Sequence, residues 1–107
     1  MNNVEQITQD LCEFYLAQKR IIISRFVDAL SSLSDEVLIA QYTRAFWKME
    51  DAKHPFSGID ETDRDVSSFI RAACYNILRK RGFEKGCFAN DWRKKEKTEQ
   101  RQAQLTE

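Results

Sequence analysis

Apolar side chains recur along this chain at helical spacing, in three blocks. Val4, Ile7, Leu11 and Phe14 follow a three–four–three rhythm, and Ile22, Phe26, Leu30 and Leu33 a four–four–three one. Both lie within a segment, about 4–30, expected to be helical. The two stripes are out of phase, and the polar run Gln18-Lys19-Arg20 separates them. One helix of that length spans ~40 Å, long for a small domain. It is therefore expected to bend, to break near 17–20, or to change its packing partner there. Ile21-Ile22-Ile23 is β-branched and also suits a short strand, but no second strand accompanies it.

The second block, 35–51, carries Leu38, Tyr42, Ala45, Phe46 and Met49 on one face. Ser32 or Ser34 can cap it, with Asp35 and Glu36 in the first turn, where carboxylates meet the positive end of the dipole. The third, 61–81, has Val66, Ile70, Ala73 and Ile77 on its predicted buried face, with Phe69 and Cys74 beside it. Asp60 or Thr62 can cap this helix, and Gly82 ends it, with Phe83 folding back on the last turn. Between the two lies "AKHPFSGI", 52–59, a loop: Pro55 disfavours helix at His54, and Gly58 permits a turn.

Beyond Gly82, Asn90-Asp91 offers a cap for a short helix starting at Trp92. The pattern as a whole predicts an all-α fold, a three-helix core with a C-terminal arm or short fourth helix. Residues 1–92 read as a single helical domain and 93–107 as a polar tail, a frayed helix or disordered. Only three glycines and one proline in 107 residues imply few, long elements, and seven Phe, three Tyr and two Trp are enough for one core.

The formal net charge is zero, but it is unevenly spread. Residues 1–78 carry −4 and residues 79–97 carry +5. The balance gives no general attraction to nucleic acid or to a membrane, while the segment 79–97 supplies a local one. No apolar run approaches the ~18 residues of a membrane span. Glu5 and Asp10, with no basic residue near the start, do not fit a secretory leader. Cys12, Cys74 and Cys87, odd in number and without framework spacing, read as free thiols in a reducing compartment, so a cytoplasmic location is expected.

The residue types that carry chemistry are present but not in chemical patterns. His54 stands alone before Pro55, with no nucleophile at motif spacing. Three cysteines and one histidine could make a zinc set, yet no close ligand pair exists. Asp60, Glu61, Asp63 and Asp65 lie where acids cap a helix, without the glycine and terminal glutamate of a calcium loop. No catalytic residue, cofactor or metal is expected.

The stretch "LRKRGFEKGCFANDWRKKEK", 78–97, poses the remaining question. Arg79-Lys80-Arg81 complement a helix C-terminus, and Phe83, Cys87, Phe88 and Trp92 can cover the open end of a helical core. The same interleaving of aromatic and basic residues suits single-stranded nucleic acid. Trp47, one position off its stripe, and the loop pair Pro55-Phe56 suit a protein interface. The expected function is therefore non-enzymatic binding of another protein, as an adaptor, regulator or inhibitor of a larger enzyme. Its sharpest form is a phage or mobile-element modulator of a host enzyme. The alternative is a nucleic-acid-binding regulator using 79–97. The expected contact residues are Trp47, Pro55, Phe56, Phe88, Trp92, Arg93, Lys94, Lys95 and Lys97.

Overall fold

The computed structural model describes residues 3–94. Three helices are followed by a small antiparallel ribbon: α1 Asn3–Leu30, α2 Asp35–Asp51, α3 Glu61–Lys80, β1 Phe83–Lys85 and β2 Trp92–Lys94. The all-α core is the one expected. The C-terminal element is not a fourth helix: Trp92, Arg93 and Lys94 are extended and pair with Lys85, Glu84 and Phe83. Lys95 and Lys97, and the polar tail beyond Lys94, lie outside the described residues.

The capping residues act as their types require. Ser34 is extended (φ −68°, ψ 160°) and its hydroxyl accepts from the Val37 N–H at 3.3 Å. Asp60 accepts from the Asp63 N–H at 2.8 Å, so the acidic run does serve to start α3. Gly82, just past α3, sits at φ 93°, a left-handed conformation that side chains resist.

α1 is continuous through 17–20. Its phase change reflects a change of surroundings. Ile22, Ile23, Phe26, Val27 and Leu30 are half-buried, and Phe26 stacks on Phe69 of α3 with ring centroids 6.1 Å apart. Every residue from Asn3 to Gln18 is exposed. The first sixteen residues of α1, ~24 Å of helix, are thus exposed throughout, and the principal extents of 62 × 39 × 26 Å show how far from round the molecule is.

The core lies between α2, α3 and the ribbon. Leu38, Tyr42, Cys74, Ile77, Leu78, Phe83, Ala89 and Trp92 form one buried cluster, with Val27, Leu30, Leu33, Ile39, Phe46 and Ile70 packed around it. The buried face of α3 is rotated from the expected one. Leu78 and Cys74 are fully sealed, Ser67 is buried, Ile70 is half-buried, and Val66 is exposed. The ribbon draws the face towards Cys74 and Leu78, because Phe83 and Trp92 must be covered there.

A two-stranded ribbon is marginal alone. This one is held by Phe83, Ala89 and Trp92, and by the Thr43 hydroxyl, which donates to the Ile39 carbonyl at 2.8 Å and lies 3.4 Å from that of Ala89. Its turn closes where the Gly86 N–H donates to the Asp91 carbonyl at 2.6 Å, and a side chain at Gly86 would collide with the Asp91 carboxylate. At the C-terminal end of α3, the Arg81 guanidinium binds the Asp35 carboxylate and the Ser31 carbonyl, both at 2.7 Å, and so ties α3 to the α1–α2 junction.

Candidate protein-binding surfaces

Aromatic rings run from the core to the surface along α2. Trp92 meets Tyr42 edge-on, Tyr42 stacks on Phe46 at 6.4 Å, and Phe46 meets Trp47 edge-on at 5.3 Å. The buried end is fixed by packing. At the other end the Trp47 side chain is 56% exposed. It stands one turn before α2 ends at Asp51, and the loop with exposed Pro55 and Phe56 follows.

Arg71 of α3 completes this face. Its guanidinium carbon lies 5.0 Å from the Phe46 ring centroid and 5.9 Å from that of Tyr42, and its Nη1 is 3.8 Å from the Met49 sulfur. Among the described residues no carboxylate pairs with it. Beside it is an open cleft of about 330 Å³ walled by Tyr42, Met49, Ser68, Arg71, Ala72 and Tyr75. A tryptophan, a methionine, phenylalanine and tyrosine rings and an unpaired arginine in one contiguous patch is the composition of an interface core.

The residues singled out in the sequence have different fates. Trp47, Pro55, Phe56 and Phe88 are exposed, Phe56 almost completely at 98%. Trp92 is 8% exposed, so it does not offer its ring to a partner; it belongs to the core because Tyr42 and Tyr75 enclose it. The Arg93 side chain reaches Asp91 at 3.3 Å, and the Lys94 amine lies 5.9 Å from the Phe83 ring. Arg71 did not stand out in the sequence, and Met49 did so only as part of the apolar stripe of α2. A single arginine on a mixed helix carries no signal until tertiary packing sets it over Phe46.

Two other features belong to the surface. A groove of about 740 Å³ between α1 and α3 has Arg20, Arg79 and Lys80 on its rim and Ile23, Val27 and Tyr75 in its walls. The projecting part of α1 bears Val4, Ile7, Leu11, Phe14 and Tyr15, each more than half exposed.

Cys74 is sealed in the core, where loss of water pushes its thiol up to about 11, whereas Cys12 and Cys87 are at the surface. Among the described residues no three His, Cys, Asp or Glu side chains gather as a metal cluster, and no helix is long and apolar enough to cross a membrane. No protein family, curated protein or solved structure matches the chain.

Proposed function

We propose that this protein is not an enzyme and acts by binding another protein, as an adaptor, regulator or inhibitor, through the face built by Trp47, Phe46, Met49 and Arg71. The observation that supports this most is that Arg71 lies over Phe46, beside Met49, with no carboxylate partner among the described residues. An acidic side chain of the partner would pair with Arg71 at the cleft, and an apolar one would pack against Trp47. Desolvated Trp and Arg contacts of this kind dominate interface energies, at about 2 kcal/mol or more each.

The basic segment gives the nucleic-acid reading less support. Two of its aromatics, Phe83 and Trp92, are withdrawn into the core, and Arg81 is held by Asp35 and Ser31. Only Phe88 remains as an exposed ring among its described residues. The test is affinity capture with the wild type, Trp47→Ala and Arg71→Ala as baits, run beside titration of a fluorescent single-stranded oligonucleotide. The reading expects one protein captured at near-stoichiometric yield and lost, at least about thirtyfold, with either variant. Tight oligonucleotide binding that weakens steeply with salt and with Arg79→Ala and Lys80→Ala would sink it.

A further inference from the structure

The groove between α1 and α3 gathers three cations and no acid. Arg20 stands on the α1 side, Arg79 and Lys80 on the α3 side, and all three are exposed. Among the described residues none of them has a carboxylate at ion-pair distance. Arg79 and Lys80 lie in the last turn of α3, where the helix dipole favours positive charge. Arg20 lies well inside α1, away from both ends, so no dipole accounts for it. Like charges around one groove repel each other, and an anion bound between them removes that repulsion.

The walls are apolar. Ile23 and Val27 of α1 are half-buried, and Tyr75 of α3 is 40% exposed. The Tyr75 ring is fixed by Trp92, edge-on at 5.6 Å, so this wall is already in place. The Ser24 hydroxyl and the Asn76 amide line the same groove, and neither has a hydrogen-bond partner among the described residues.

We propose that this groove binds an acidic segment of a partner protein, one in which an apolar side chain stands between carboxylates. The apolar side chain packs against Ile23, Val27 and Tyr75. One flanking carboxylate meets Arg20 and the other Arg79 and Lys80. Asn76 offers both a donor and an acceptor, which a peptide group matches and a phosphate uses only in part. At about 740 Å³ the groove has the size of a small-ligand site, so it takes a short segment. A nucleic-acid strand is served by cations tracking its backbone and by several rings in series. Here the cations share one groove with a single ring. The chain's own residues 95–107 carry three basic and three acidic side chains, so they bring no net negative charge to it. Tyr75 and Asn76 also line the cleft beside Arg71, so the groove adjoins the Trp47 face along α3. It nonetheless rests on its own residues and is a second site.

The experiment selects short random peptides, displayed on phage, against the full chain, then titrates the enriched peptides by fluorescence anisotropy. The selected peptides should share an apolar residue flanked by Asp or Glu. Arg20→Glu, and Arg79→Glu with Lys80→Glu, should each raise their Kd at least about tenfold. Ser24→Trp, which fills the groove and leaves every charge in place, should do the same. Trp47→Ala should leave the Kd unchanged. A selection without an acidic consensus overturns the proposal, and so do acidic peptides indifferent to the charge reversals and to Ser24→Trp. Peptides lost with Trp47→Ala but not with Arg20→Glu belong to the other face: this site then fails and the Trp47 reading stands. Loss with Arg20→Glu alone, in a protein whose Trp47→Ala variant still captures its partner, separates the two the other way. A single-stranded oligonucleotide that displaces the peptide at lower concentration than unlabelled peptide does also overturns the proposal, and assigns the groove to nucleic acid.

Discussion

The indole of Trp92 meets the ring of Tyr42 edge-on, with centroids 5.1 Å apart and planes at 88°. Tyr75 meets the same indole from α3 at 5.6 Å and 67°. Trp92 is therefore the bolt that fixes the ribbon to α2 and α3. It is also imperfect, because its buried indole N–H has no acceptor among the described residues. Such a group costs about 1–3 kcal/mol.

Trp92→Ala should accordingly destabilise the protein by about 3–5 kcal/mol, a large share of a small domain's stability. Trp92→Phe should cost clearly less, since it keeps most of the ring packing and removes the unpaired donor. Urea denaturation of the two variants checks this. Equal stability of Trp92→Ala and wild type would mean that the indole is not part of the core.

On α3 the ranking should follow burial. Leu78→Ala is expected to cost about 2–5 kcal/mol, because Leu78 is fully sealed. Ile70→Ala should cost less, and Val66→Ala about 0.5 kcal/mol or below, as for other surface sites. Thermal melts of the three variants give the order, and a Val66→Ala loss matching that of Leu78→Ala would contradict it.

The three thiols should separate by reactivity. Cys12 and Cys87 should be labelled rapidly at pH 8, and Cys74 only on unfolding, being both buried and protonated in the fold. The pH dependence has a definite sign. Its thiol ionises near 9.0 when unfolded and at about 11 when folded. The unfolded chain therefore loses this proton first, so the contribution is intact below about 9 and is lost as pH rises towards 11. Cys74→Ala should flatten that part of the stability–pH curve, and an unchanged slope would show that Cys74 is not its source.

Much of this architecture was legible in the chain. Ser34, Asp60 and Gly82 mark helix ends through chemistry that acts within a few residues, and the stripes of α2 and α3 locate their helices. The phase change in α1 was visible, but its cause was not. A helix that breaks and a helix that leaves the body give the same pattern, because periodicity records which face is apolar and not what covers it. The ribbon was hidden for another reason. Strands of three residues are too short to show alternation, and Phe83 and Trp92 sit among charges that suggest surface. Of the candidate site, Trp47 stood out by being off its stripe. Arg71 and Met49 joined it only through the crossing of α2 and α3.

The account rests most on the Trp47 face, and site-specific photo-cross-linking tests it most directly. A photoreactive phenylalanine placed at Trp47, and separately at exposed Arg64 as a control, is irradiated in the cells that make the protein. The account predicts a discrete protein adduct from position 47, absent from position 64 and lost when Arg71→Ala is added. No adduct at 47, or an adduct to nucleic acid, would contradict it.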